Sequence, residues 1–205
     1  HTTPCGLAVA SSVGEAWRRA LATDPQSAFG GVVAFNTVVD KATAEEMAGL
    51  FLEVIVAPSF HDEALKVFAA KKNLRVVELP VSHGERGLDY KCVRGGFLVQ
   101  DRFQFDPSEE AWRVPTVRHP TEAEWSDLRF GWAGVATVKS NAILLVRGEA
   151  VIGIGAGQMS RVDSSFLAVH KARQQGHDPR GTVLASDGFF PFPDGPRLAL
   201  DAGVS

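Results

Sequence analysis

Val54-Ile55-Val56-Ala57-Pro58 decides the fold. A short β-branched run closed by proline reads as a strand. It stands between two stretches of helical spacing, Ala42 to Phe51 and Glu63 to Lys72. Working outward, Val32 to Phe35 and Arg75 to Leu79 read as the neighbouring strands. Before them come an apolar run, Gly6-Leu7-Ala8-Val9-Ala10, and a helix from Val13 to Thr23 on which Ala16, Trp17, Ala20 and Leu21 share a face. Strands and helices that alternate in this way predict right-handed crossovers and a sheet covered by helices.

Periodicity fades between about Val81 and Pro120, where only Gly96 to Gln100 reads as a strand. It returns with a helix from Glu122 to Val138, a hairpin of Ala142 to Val146 with Ala150 to Ile154, and a helix from Asp163 to Gln175. A strand at Thr182 to Ala185 and a helix near Pro196 to Ala202 follow. The expected organisation is α/β: a first half over residues 1–80, a connector with one strand over 81–120, and a second half over 121–205.

Composition narrows the function. Of 205 residues, 45% are hydrophobic and 22% charged, and the net charge is −3, so the basic excess that would track a nucleic-acid backbone is missing. No apolar run reaches the roughly 18 to 20 residues that span a bilayer, and the first residues do not read as a secretory signal, which gives the expectation of a cytoplasmic protein with no membrane partner. Cys5 and Cys92 have no disulfide-framework or metal spacing and read as reduced thiols.

The strongest motif is Val151-Ile152-Gly153-Ile154-Gly155-Ala156-Gly157-Gln158-Met159-Ser160-Arg161. Glycines let a backbone come close to a ligand, and the Arg161 fork suits an anion, so the run reads as one wall of a nucleotide site. Lys139-Ser140-Asn141 and the aromatic turn Ser186-Asp187-Gly188-Phe189-Phe190-Pro191-Phe192 add amide and ring groups suited to a phosphorylated heteroaromatic compound. The familiar cofactor and hydrolase motifs fail on spacing. Position 158 is Gln where a dinucleotide fingerprint needs its third glycine, and neither a phosphate-cradling G-x-x-x-x-G-K loop nor a G-x-S-x-G elbow occurs. Pro4-Cys5-Gly6 lacks the second cysteine and the H-x-E element of a zinc deaminase, so no metal site is expected.

Five blocks in order carry a resemblance: His1-Thr2-Thr3-Pro4-Cys5-Gly6, Thr23 to Gly31, Lys139 to Ile143, Gly153 to Ser164, and Ala185 to Phe192. They resemble the formyltransferase part of the bifunctional purine-biosynthesis enzymes, which move a formyl group from 10-formyltetrahydrofolate to the amine of aminoimidazole carboxamide ribonucleotide. The resemblance spans essentially the whole chain and implies two cytidine-deaminase-like α/β halves without the deaminase zinc. It also implies a fragment: the motif lysine that precedes the histidine, the cyclohydrolase domain and a C-terminal region are not in these residues.

The resemblance implies roles residue by residue. His1 is the base that takes a proton from the substrate amine, a task suited to the titration range of histidine. Gly30, Glu53, Asn141, Arg161 and Phe189 bind the ribonucleotide: Gly30 by close backbone approach, Glu53 at the ribose, Asn141 at the carboxamide, Arg161 at the phosphate and Phe189 by stacking, and the charge of Lys139, a position at which relatives vary, supplements the positive field at the substrate. Val162 and Asp194 lie on the folate side, and 10-formyltetrahydrofolate is the co-substrate. Phe190 and Phe192 read as packing residues, and Asp187 as a brace for its turn. Relatives with composite sites imply a homodimer. The alternative reading is a nucleotide-binding module without catalysis.

Overall fold

The computed structural model describes residues 3–81, 87–102, 108–109 and 112–205. Its first sheet is parallel, with β1 (Gly31–Ala34), β2 (Leu52–Ala57) and β3 (Arg75–Glu78) in that spatial order. Three helices alternate with these strands: α1 (Val13–Thr23), α2 (Lys41–Met47) and α3 (Asp62–Ala69). Ser12 and Asp40 start α1 and α2 by accepting hydrogen bonds from the amides of Glu15 and Thr43, which satisfies donors that a helix leaves open at its first turn. Trp17, Ala44, Met47, Ala64 and Phe68 of the helices then bury against Leu52, Ile55 and Ala57 of β2.

The register shows which face the helices cover. Val33 pairs with Ile55 and Ile55 with Val76, so these three side chains share the face that enters the core. The opposite face carries Val32, 64% exposed, and Val77, 41% exposed.

The second sheet is antiparallel, with β6 (Ile143–Val146) between β7 (Val151–Gly155) and β8 (Val183–Ser186). Alternation along β6 sends Ile143 and Leu145 toward α5 (Arg161–Gln174) and α6 (Asp194–Asp201), and Leu144 and Val146 toward α4 (Glu122–Val135). All four residues of β6 are therefore buried. A capping box of Thr121 and Glu124 starts α4. The β6–β7 turn has positive φ at both Gly148 and Glu149, the conformation a two-residue hairpin needs, and the buried Asp127 of α4 accepts from their amides at 2.9 and 2.6 Å.

Two segments differ from the sequence expectation. The Gly6–Ala10 run makes no strand in the first sheet; Ala8 bridges Ala150, Val9 N–H donates to Glu149 O and Val151 N–H donates to Leu7 O, so this run lies along β7. An apolar run pairs with whichever sheet edge lies in reach, and β7 is an edge strand. In the connector, β5 (Gly96–Asp101) has a partner that was not expected, β4 (Leu88–Val93). Its charged Asp89 and Lys91 mask an alternation with Leu88, Tyr90 and Cys92 that has the two-residue period of a strand, although all six residues of β4 are exposed.

Helix α1, whose Trp17 packs in the core of the parallel sheet, also bonds to the antiparallel sheet and the loops beside it. Thr23 Oγ1 donates to Val151 O at 2.5 Å, His177 Nε2 meets Ala22 O at 2.7 Å, and Arg19 reaches the carbonyls of Val9 and Gly148. Buried Asp24 pairs with Lys171 of α5 at 2.8 Å. Burial acts to raise the pKa of Asp24, but hydrogen bonds from Lys171 and Ser27 outweigh it and leave the carboxyl below its ordinary value.

Candidate functional site

Antiparallel pairing gathers three loops at one end of the second sheet. Ile143, at the start of β6, pairs with Gly155 at the end of β7 and with Ser186 at the end of β8. The loops that lead into β6 and out of β7 and β8 therefore meet. They carry Lys139 and Asn141, then the run up to Arg161, then Asp187 to Phe189.

Gly153 and Gly155 serve packing, which corrects the expectation that they line a ligand. A Cβ on Gly155 would stand 1.9 Å from Ser164 O, and one on Gly153 would stand 2.3 Å from Ala168 O. Both atoms belong to the backbone of α5, so the glycines let that helix press onto β7. The close packing fixes where α5 begins, and hence where Arg161 stands. Ser160 caps the helix by accepting from the Asp163 amide, so Arg161 is the first helical residue.

Around Arg161 the polar groups interlock. Asn141 Nδ2 donates to Gln158 O at 2.9 Å and to Met159 O at 3.1 Å, which clamps the glycine loop and leaves Oδ1 as the amide atom not used in these two bonds. The fully buried Ser164 hydroxyl donates to Asn141 O at 2.8 Å. Arg161 donates through Nη2 to Asp187 Oδ1 at 3.1 Å and through Nε to Ser186 Oγ at 3.3 Å. Asp187 Oδ1 also accepts from the Ala142 amide at 2.9 Å. Burial acts to raise the pKa of Asp187, yet its bonds to Ser140 and Ala142 and the Arg161 charge outweigh this and hold the carboxyl below its ordinary value.

The remaining residues singled out in the sequence fall as follows. Lys139 is exposed at the same sheet end, where its carbonyl accepts from Gly157 N–H at 2.8 Å. Val162 is half-buried in the first turn of α5. Phe189 is 82% exposed, free to meet a planar ligand, while Phe190 packs into the core beside Leu198. Phe192 is 68% exposed, so its expected packing role does not hold; it lies in the loop before α6. Asp194 is exposed at the start of α6 and accepts from the Gly195 amide.

Gly30 and Glu53 sit at the other sheet. Gly30 has φ 70° and donates to Phe51 O, and Glu53 is paired with Arg75 at 2.8 Å. They lie at the N-terminal ends of β1 and β2, so their partners are those of the parallel sheet. His1 lies outside the described residues.

Sequence reasoning missed Ser164 and Ser186. The signal was available only as spacing: Ser164 is four residues beyond the Ser160 cap, the offset that turns a helical side chain back over the first turn. Among the described residues, no three His, Cys, Asp or Glu side chains group as a metal site, and no helix is long and apolar enough to cross a membrane.

The Arg161 guanidinium, the Asn141 amide oxygen and the exposed Phe189 ring, groups of the kind that hold a planar anion, lie on three loops that meet at one end of a sheet in a mixed α/β scaffold. The chain belongs to the family described as AICARFT/IMPCHase bienzyme, whose profile matches residues 1–171. It is similar to two curated relatives, each described as bifunctional purine biosynthesis protein PurH. That of Shouchella clausii is 47% identical over 205 residues, covering 100% of this chain and 40% of the relative. That of Polynucleobacter asymbioticus is 46% identical over 205 residues, with 100% and 39% covered. The chain thus spans about 40% of the length of these relatives.

Proposed function

We propose that this chain carries a site for formyl transfer from 10-formyltetrahydrofolate to the amine of aminoimidazole carboxamide ribonucleotide in purine biosynthesis. The observation that supports it most is the meeting of Asn141, Arg161 and Phe189 at one sheet end. In this reading Arg161 takes the phosphate, with Lys139 adding positive potential, Asn141 Oδ1 accepts from the carboxamide, and Phe189 stacks on the ring. Gly30 and Glu53 complete the nucleotide subsite from the parallel sheet, and Val162 and Asp194 face the folate.

The chemistry explains the need for a base. The amine lone pair is delocalised into the imidazole and carboxamide, so attack on the formyl carbon gains from removal of a proton as the new C–N bond forms. His1 takes that proton, the bond from the formyl carbon to the folate nitrogen breaks, and the histidine passes the proton to that nitrogen as it leaves, which returns the imidazole to its starting state. The enzyme works in the cytoplasm as a homodimer. The face with exposed Val32 and Val77 and the exposed Tyr90 and Phe97 of the β4–β5 hairpin are apolar surfaces suited to a second copy.

The test is turnover of the ribonucleotide with 10-formyltetrahydrofolate, measured on the longest natural polypeptide that contains residues 1–205. Loss of turnover in His1→Ala and in Arg161→Ala supports the reading. Nucleotide binding without turnover supports a binding module, and the absence of both refutes the site. A strictly monomeric mass in light scattering would contradict the dimer.

A further inference from the structure

Asp187 stands where the three loops join, and the detail of its bonds to Arg161 matters. The Nε–H and Nη2–H protons form one edge of the guanidinium plane, an edge that a carboxylate or phosphate can take side-on. Here Ser186 Oγ and Asp187 Oδ1 occupy that edge, at 3.3 and 3.1 Å. The Ser186 hydroxyl is itself fixed, because it donates to Gly188 O at 2.8 Å. The protons not used in these two bonds are those of the other edge, made by Nη1 and the second Nη2 proton, on a side chain that is 19% exposed and has Gly188 packed beside Nη2. Asp187 and an incoming anion therefore do not compete for the same protons.

We infer that Asp187, with Ser186, is a positioning residue that grips Arg161 by one edge so that the opposite edge faces the phosphate of the nucleotide. The inference rests on the proposed role of Arg161. Asp187 links that role to Asn141 as well, since the same Oδ1 holds the Ala142 amide at 2.9 Å, one residue beyond Asn141. A guanidinium on a long side chain loses conformational freedom when it binds; a guanidinium already held has lost it beforehand, so affinity rises through preorganisation. Paired with Asp187, Arg161 adds little net charge. Phosphate recognition then depends on the orientation of its free edge and on the nearby Lys139 more than on long-range attraction.

Asp187→Asn keeps a carbonyl oxygen for the Ala142 amide but removes the charge that grips Arg161. On the longest natural polypeptide containing this chain, calorimetric titration compares aminoimidazole carboxamide ribonucleotide with its phosphate-free nucleoside. Arg161→Ala is expected to weaken nucleotide binding roughly thirtyfold, Asp187→Asn roughly tenfold, and the double variant no further than Arg161→Ala alone. Nucleoside binding stays unchanged in Asp187→Asn. The ¹⁵N signal of Arg161 Nε–H, sharp in the natural protein, broadens by exchange in the variant.

Tighter nucleotide binding in Asp187→Asn would make Asp187 a competitor and overturn the inference. So would equal losses for nucleotide and nucleoside, or losses in the double variant that multiply. Unchanged binding in Arg161→Ala would overturn the phosphate reading itself, and the inference with it. If Asp187→Asn does not fold, Ser186→Ala removes only the Nε acceptor and carries the same test, with an expected loss of about threefold.

Discussion

Gly155→Ala tests the finding that the glycine run serves packing. The added Cβ would stand 1.9 Å from Ser164 O, 2.6 Å from Ser164 C and 2.8 Å from Ser164 Cα. All three are backbone atoms, so no side chain can rotate away; α5 must retreat from β7 by about 1.5 Å to reach ordinary contact distance. Retreat loosens Ala168, Val169 and Ala172 from the strands they cover. Overpacking costs about 1–3 kcal/mol, and a backbone clash belongs at the upper end. Alanine also restricts the unfolded chain, which offsets about 0.4–1 kcal/mol. The net loss is about 2 kcal/mol, which lowers Tm by roughly 4–8 °C for a chain of this size. Calorimetry and urea unfolding measure it, with Gly96→Ala as control, since a Cβ there meets nothing within 4 Å. A Gly155→Ala protein as stable as the control, with nucleotide affinity alone impaired, would refute the packing reading and restore the ligand wall.

Carboxylates held by the fold give two more expected outcomes. Asp127→Ala removes the acceptor of two turn amides; because solvent reaches that turn, the loss is about 2 kcal/mol, well short of two fully buried charged bonds, and is read as a lower urea midpoint. Acid destabilises the protein through Asp24, Asp187 and Glu124, all with folded pKa values below the ordinary ones; an ion pair with Arg118 takes Glu124 to about 2. Their stabilisation is complete above the ordinary carboxylate range and is lost as pH falls from about 4 toward 2, so Asp24→Asn flattens the fall of urea midpoint in that window.

Most of the scaffold was legible because its strands are short β-branched runs and its helices carry clear apolar faces. The helix from Val13 to Thr23 has the expected limits. The second sheet was equally legible, because β6 is a continuous apolar run with a turn after it. Partner choice was not legible: the Gly6–Ala10 run looks like any strand, and only tertiary contact sends it to β7. The β4 strand escaped because charges at alternate positions resemble a loop. At the candidate site, residue types were readable but their bonds were not. Gly153 and Gly155 look the same in sequence whether a ligand or a helix comes near, and Arg161 gives no sign that Asp187, 26 residues on, holds one of its edges.

The most direct test is a structure of the longest natural polypeptide containing this chain with aminoimidazole carboxamide ribonucleotide bound. The phosphate is expected on the free edge of Arg161, the carboxamide at Asn141 Oδ1 and the ring against Phe189, with the Asp187 bond to Arg161 retained. A nucleotide seated elsewhere, for example in the hollow of about 270 Å³ lined by Leu50, Phe51 and Lys72, with Arg161 untouched, would contradict the proposed site.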